Sequence, residues 1–382
     1  MEGAFDVIVV GLGAMGSSAA YHLAKRGARV LGLEAFSPAH DKGSSHGESR
    51  IIRQAYFEDP AYVPLVLRAY NLWQELEAEC NQNLLNVTGG VAIGSLQGEL
   101  VSGCLKSATT HGLNYDLLDQ IEMKQRFPQF VLAESEVAFY EQKAGYLRPE
   151  ECVRQHLECA SKRGADLRFE EPILSWTASE SGDGVEVITE KDTYRAQSLV
   201  IAAGPWTSEL VPGLPLSLTV SRRVMFWLKP VHQHASFDKR VFPIFLWEPA
   251  EGPLFYGFPR THETGEPKVA IHSGGEDCTP STIDRNIHPS DEAAIRSAIK
   301  LRIPALNGEV SRAVTCMYTM TRDQHFIIDS HPRHPQVSIA AGFSGHGFKF
   351  SPVVGEILCD LALSRQTSSD IALFSVSRKG LQ

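Results

Sequence analysis

Long apolar runs are missing from this chain. No stretch reaches the ~20 residues a membrane-spanning helix needs, and the opening Met1–Asp6 has no positive charge ahead of an apolar core. Neither a membrane span nor a secretory leader is therefore expected. Cysteine is sparse. Cys80, Cys104, Cys152, Cys159, Cys278, Cys316 and Cys359 are scattered, odd in number and never in CxxC or Cys/His zinc spacing. No disulfide framework and no metal site are expected from them, and reduced thiols in a cytoplasmic protein are the plain reading. A basic excess is missing too. With 36 Lys and Arg against 45 Asp and Glu, the formal charge is −9, and no aromatic-basic stripe suggests nucleic acid as a partner. Internal repeats and low-complexity tracts are also absent.

What is present is enough apolar material for a substantial core: 43% of 382 residues, suited to two interpenetrating units rather than one. Asp6–Val10 reads as a buried parallel strand, followed by a glycine turn and a helix to about Lys25. A second strand over Arg29–Leu33 completes a βαβ opening. A polar loop, Gly43–Arg53, leads to a helix over Tyr62–Cys80. Strands at Gly90–Ser95 and Glu136–Tyr140 follow, and Pro149 opens a helix to about Lys162. Strands are expected at 166–169, 184–189 and 198–202, then a strand-rich stretch over 217–273. Ser290 is expected to cap a helix whose first turn carries Asp291 and Glu292. A last strand, Val337–Ala341, precedes a helix over 352–363. The fold class expected is α/β (α+β): a Rossmann-like nucleotide-binding domain over 1–86, 148–215 and 310–382, interleaved with a mixed β-sheet substrate domain over 87–147 and 216–309.

Gly11-Leu-Gly13-Ala-Met-Gly16 falls between the first strand and the first helix. Gly11 permits the tight turn, Gly13 lets the backbone approach a pyrophosphate, and Gly16 lets helix and strand pack closely. A diphosphate would rest on the helix N-terminus, where unpaired N–H groups favour negative charge. Glu34 ends the second strand, placed for the hydroxyls of an adenosine ribose, and its charge would repel a 2′-phosphate. A dinucleotide is expected; the fingerprint alone does not separate FAD from NAD.

Three further segments bear on that choice: Gly43-Ser-Ser-His-Gly-Glu-Ser-Arg-Ile-Ile-Arg53, Cys316-Met-Tyr-Thr319 and Gly342-Phe-Ser-Gly-His-Gly-Phe-Lys349. They resemble the monomeric sarcosine oxidase family, which includes N-methyltryptophan oxidase and the pipecolate oxidases, and the resemblance runs through essentially the whole chain. It implies a two-domain flavoprotein in which a β-sheet roofs the isoalloxazine ring of FAD. Cys316 matches the family cysteine that bonds to the flavin's dimethylbenzene edge; a lone cysteine is otherwise an ordinary buried thiol. A neighbouring cation would lower its pKa for that bond.

The same resemblance implies the remaining site. Ser45, His46, Ser49, Met317, Gly345, His346 and Gly347 would hold FAD, with His346 adding a donor near the pyrimidine ring. Arg50 would lie beside the flavin, and Arg53 with Lys349 would grip a substrate carboxylate, a planar fork paired with a point charge. For Arg53 the alternative is a structural salt bridge to Glu58 or Asp59. Lys268 would sit near flavin N5 and assist the reaction with oxygen, although Arg260–Pro267 is about one residue longer than the family pattern. His272 would orient the amine, or is a satisfied core histidine. Tyr256 and Tyr318 would wall the substrate, with size selection near Leu246, Trp247 and Phe255.

The function these features imply is FAD-dependent oxidation of a small secondary amino acid, sarcosine-like. Hydride leaves the carbon next to nitrogen, the imine hydrolyses, and O2 is reduced to H2O2 by a monomeric enzyme. Pipecolate, proline and fructosyl-amino-acid oxidation are the alternatives on the same site. A flavin dehydrogenase using another acceptor, an NAD-dependent dehydrogenase, and a catalytically silent FAD-binding protein are rivals of other kinds.

Overall fold

The computed structural model describes residues 5–214, 216–232 and 234–381. Its chain builds two large sheets and one small one. The first, of eight strands, runs in the order Ile173–Ala178, Val185–Thr189, Thr193–Ile201, Phe5–Val10, Val30–Leu33 and Asp166–Arg168, with His334–Ala341 paired to Thr193–Ile201 and Ile327–His331 paired to His334–Ala341. Phe5–Val10 lies between Thr193–Ile201 and Val30–Leu33, parallel to both. Val7, Ile8 and Val9 are fully buried, because helices or strands cover both faces of a parallel sheet. The helix Ala14–Lys25 packs against the helices Pro149–Lys162 and Ser351–Ser364.

The second sheet has nine strands: Glu276–Cys278, Thr219–Leu228, Lys268–Ile271, Phe255–Phe258, Ile244–Trp247, Gly90–Ser95, Glu136–Glu141 and Asp116–Leu118, with Val310–Met320 on the other side of Thr219–Leu228. Side chains alternate between its faces. One face buries Phe226, Phe245, Trp247 and Phe255 in an aromatic core. The other carries Met225, Trp227, Ala270 and Cys316, with Tyr256 packed against them. Val310–Met320, expected with the nucleotide unit, pairs along its length with Thr219–Leu228. Cys316 and Tyr318 are therefore carried by the nine-stranded sheet. The small sheet joins Arg50–Ile52, Gly145–Leu147 and Leu85–Val87.

The molecule is thus of the mixed α/β class expected, with one local correction. Ser290 does not cap its helix, which begins at Pro289 with His288 as N-cap. Proline has no N–H to leave unpaired in a first turn, so it takes the first position, and Asp291 reaches back to accept from His288 N (2.9 Å). Among the described residues, no helix is long and apolar enough to cross a membrane, and no three His, Cys, Asp or Glu side chains group as ligands for a metal.

Between the helices Ala14–Lys25 and Pro149–Lys162, burial holds His22 and His156 down to about 3, aided by Lys25 beside His22 and by the two rings' mutual repulsion. Their Nε2 atoms lack partners among the described residues. An unfolded chain protonates such histidines near pH 6.5, well before the folded one does. Stability should therefore fall as pH drops from about 6.5, by about 1.4 kcal/mol per unit for each ring. Urea midpoints measured at pH 7 and pH 5 check this, and His156→Leu should lose visibly less between the two. An equal loss in that variant would show that other groups drive the acid sensitivity.

Candidate active site

The first strand delivers the chain to Gly11, whose φ of +83° and crowding against Ala202 leave no room for a side chain; a Cβ there would lie 2.6 Å from the Ala202 carbonyl oxygen. A Cβ on Gly16 would run into the Gly11 carbonyl, so the helix Ala14–Lys25 can approach the strand only through glycine. No side chain caps this helix at Gly13, and Ala14 N–H donates to Ser45 Oγ (3.2 Å). The rest of the first turn is open to an anion. Glu34 Oε2 accepts from Leu12 N (2.8 Å) and Oε1 from Phe36 N (3.1 Å), which props the glycine turn while keeping the carboxylate in the cavity wall.

That wall encloses about 480 Å³ and brings together Gly11, Gly13, Glu34, Ser45, Arg50, Met317, Gly345 and Gly347. Phe36, His40 and Trp206, which belong to no motif of the sequence analysis, add a ring cluster to it, with Phe36 5.4 Å from Trp206 and 4.7 Å from His40. A long cavity with an open helix N-terminus, a carboxylate and aromatic rings fits FAD.

Cys316 lies on the Val310–Met320 strand of the nine-stranded sheet, near two lining residues, Met317 and Arg50. Arg50 Nη2 lies 3.6 Å from its sulfur and also donates to Ser44 O (2.9 Å). Burial pushes the thiol up, but the adjacent His46 ring and Arg50 outweigh it and bring Cys316 down to about 7. His46 Nε2 and Ser49 Oγ are buried without a hydrogen-bond partner among the described residues, polar atoms suited to a bound group. Lys268 stands opposite Phe258 and Trp227 on the neighbouring strands. Its Nζ donates to Gly47 O (2.7 Å) and Ser49 O (2.6 Å).

A second cavity, of about 50 Å³, adjoins the first and shares Arg50, Tyr318, Gly345 and Phe348 with it. It gathers Arg53, Leu246, Tyr256, His272, His346 and Lys349. The Tyr256 and Tyr318 hydroxyls lie 3.3 Å apart. Lys349 Nζ donates to His346 O (2.7 Å) and Tyr56 Oη (3.4 Å); burial lowers it, Arg53 adds to the effect, and it comes to about 7. Burial likewise lowers His272 to about 4, so its ring is neutral.

Two expectations change. Arg53 does make the structural salt bridge: Nη2 meets Glu58 Oε2 at 2.7 Å, and Nη1 donates to Ala55 O. Burial alone would raise Glu58, but Arg53 holds it down to about 2. Arg53 therefore faces the cavity with its charge already matched. Both ring nitrogens of His346 are already engaged: Nδ1 takes the Tyr56 hydroxyl (2.6 Å) and Nε2 meets Gln324 O (3.0 Å). Sequence reading missed Tyr56, which ties Lys349 to His346, and Arg223. The Arg223 guanidinium lies 4.8 Å from the Tyr318 ring centre, is 6% exposed, and has no carboxylate partner among the described residues. Only sheet pairing, which sets Arg223 across from Cys316, could have pointed to it.

The sequence pattern of the family described as "FAD dependent oxidoreductase" matches residues 6–361. A monomeric sarcosine oxidase from Streptomyces avermitilis is 49% identical, with the alignment covering 99% of this chain and 98% of that protein. One from a Bacillus strain is 41% identical over 99% and 97%, and an N-methyl-L-tryptophan oxidase from Yersinia pestis is 34% identical over 98% and 99%. Among solved structures, the amino acid oxidase NikD in its open form aligns with a TM-score of 0.85 over 97% of each chain at 24% identity. Glycine oxidase from Geobacillus kaustophilus aligns with 0.81 over 98% of this chain and 99% of its own at 20%. These two likenesses speak to fold alone. Together with the cradle and the adjoining cavity, the sequence matches show that this chain belongs to the FAD-dependent oxidoreductase family, in the group of the monomeric sarcosine oxidases.

Proposed function

We propose that this protein oxidises small secondary amino acids, sarcosine first among them, and passes the electrons to dioxygen. One observation carries the reading: the small cavity opens on the FAD cradle through Arg50, Tyr318, Gly345 and Phe348. An amine held there would abut the ring of the cofactor. The volume of about 50 Å³ favours a sarcosine-sized molecule over an indole or a fructosyl amine, in line with the relatives named monomeric sarcosine oxidase.

Lys349 and Arg53 take the substrate carboxylate. Lys349 has spent two of its three donors and keeps one, while Glu58 leaves Arg53 its remaining N–H groups and little net charge. The neutral His272 ring can accept a hydrogen bond from the amine without repelling the positive charge that develops on nitrogen. Tyr256, Tyr318 and Leu246 close the walls around the substrate. Bound FAD supplies the acceptor for the hydride leaving the carbon beside nitrogen, and the imine hydrolyses after release. Lys268 supplies positive charge where dioxygen is reduced. In this reading the Cys316 thiolate, favoured by His46 and Arg50, would attack a methyl carbon at the flavin's dimethylbenzene edge, a two-electron oxidation in which a methyl proton is lost and dioxygen is the final acceptor. Gly11, Gly13, Gly16, Glu34, Ser45, Ser49, Met317, Gly345 and Gly347 hold the cofactor. The discontinuous nucleotide unit and the substrate unit form one cytoplasmic monomer in this reading.

Three measurements bear on it. The purified protein should be yellow and release peroxide fastest with sarcosine across a panel reaching to pipecolate, N-methyltryptophan and fructosyl-glycine; no peroxide from any of them would sink the oxidase reading. After acid precipitation the flavin should stay with the pellet, whereas Cys316→Ala should release it to the supernatant. Flavin in the wild-type supernatant would rule out the covalent bond. Acetate, a carboxylate without an amine, should bind evenly from about pH 6 to 7, where it is fully ionised, and about tenfold more weakly for each unit above that, as Lys349 loses its proton. In Lys349→Met the binding should be weaker by about 10- to 100-fold and flat with pH. The same alkaline limb in that variant would assign it to another group.

A further inference from the structure

Lys268 is 1% exposed, and no acidic side chain pairs with it directly among the described residues. The Phe258 ring lies 4.3 Å from its nitrogen and Trp227 5.7 Å, so aromatic rings rather than water cover the ammonium. Its two hydrogen bonds go to the carbonyls of residues 47 and 49. Glu48 lies between them with φ +67°, a left-handed conformation that few non-glycine residues adopt. That turn lets both flanking carbonyls face the same point. The Glu48 side chain leaves in the other direction and is gripped there. Oε2 accepts from Trp227 Nε1 (3.0 Å), and Oε1 pairs with Arg312 (2.7 Å), whose guanidinium stacks 3.8 Å over the Trp227 ring. Trp227 is in turn the cross-strand neighbour of both Lys268 and Arg312. The loop of contacts is closed: from the Lys268 backbone through Trp227 and Glu48 to the carbonyls, and back to Lys268 Nζ.

We propose that Glu48, gripped by Trp227 and Arg312, is a positioning residue for Lys268: it sets the two carbonyls that aim the ammonium and places a carboxylate behind them. This rests on the oxidase reading, in which Lys268 faces dioxygen. Dioxygen takes two electrons from reduced FAD and two protons to leave as peroxide; Lys268 is not consumed, and only its free N–H and its charge act. The groups that face it are few. Burial disfavours the ammonium most, Arg50 adds to this, and Glu150, Glu48 and the Cys316 sulfur oppose both. Glu150 also accepts from Gly47 N (2.6 Å) and Glu48 N (3.2 Å), so it holds the same turn from its other side. Lys268 is charged below its pKa, so removing the charge of Glu48 moves the loss of that cation to lower pH.

The test uses oxidised holoenzyme carrying 15Nζ-labelled lysine, with the Lys268 signal identified by its absence in Lys268→Met. Glu48→Gln keeps an acceptor for Trp227 but not the charge, and the Lys268 titration should move down by about one pH unit. Reoxidation by dioxygen, measured on enzyme reduced with dithionite, should slow by about tenfold where the wild type is protonated and the variant is not. Anaerobic reduction by sarcosine should change by less than about twofold, since Glu48 lines neither cavity. Trp227→Phe, which removes one hydrogen bond, should shift both readouts the same way by less. Glu48→Asp, which keeps the charge, should restore most of the titration. An unmoved Lys268 signal in Glu48→Gln, or a loss in reduction as large as in reoxidation, would overturn the proposal. If Glu48→Gln does not fold, Trp227→Phe decides, with an unmoved signal again overturning it. Failure of sarcosine to reduce the wild type would sink the substrate reading instead, and the dithionite and titration arms would still judge Glu48.

Discussion

The Gly43–Arg53 loop belongs to neither large sheet, and the site depends on both gripping it. From the nine-stranded sheet, Lys268 holds the carbonyls of Gly47 and Ser49, and the Met317 carbonyl accepts from Ser44 Oγ at 2.7 Å. From the helical side, Glu150 at the start of the Pro149–Lys162 helix accepts from Gly47 and Glu48. Ser45 reaches the first turn of the nucleotide helix. The loop's first part, Gly43–Ser49, precedes the Arg50–Ile52 strand and must satisfy its backbone polar groups some other way than by helix or sheet pairing. Here charged side chains from two layers do so, and charge-assisted bonds are the stronger kind. The loop is thereby placed between the layers, where a ring could be sandwiched.

Charge is the second organising term. Arg50, Arg53, Arg223, Lys268 and Lys349 all come within one small region and are all buried or nearly so. Among the described residues, only Arg53 of these five has a carboxylate in direct contact, Glu58. Burying cations without partners is expensive, and the lowered values of Lys268 and Lys349 express that cost. A phosphorylated, electron-accepting cofactor and an anionic substrate are the charges that would offset it. The same excess bears on Cys316, whose thiolate is favoured despite complete burial, whereas burial without a nearby excess of cations drives Cys104 up to about 12.

Much of this was legible before any coordinates. The glycine fingerprint followed by small residues announced a tight βαβ unit, because only glycine fits where Gly11 meets Ala202. Hydrophobic periodicity placed the Tyr62–Cys80 and Pro149–Lys162 helices at the ends observed. The motifs around residues 43, 316 and 342 named Arg53, Tyr318 and Lys349, the family resemblance they carry added Tyr256 and His272, and these five share one cavity. The misses have a common cause. Tyr56 and Arg223 belong to no local pattern and matter only through partners 290 and 93 positions away, Tyr56 at His346 and Arg223 across the sheet from Cys316. His346 looked like a free donor because its two partners, Tyr56 and Gln324, are likewise remote in sequence.

By itself, then, the amino-acid sequence determined the α/β class, the dinucleotide cradle and the residue types of the site, since each follows from local sterics, periodicity or a contiguous motif. Tertiary structure decided which charges are matched and which are not. It gave Arg53 its counter-ion, committed both nitrogens of His346, and put Val310–Met320 with Cys316 in the nine-stranded sheet. Protonation and hydrogen-bond availability depend on everything within a few ångströms in space, and the chain supplies those neighbours from positions that no sequence window spans.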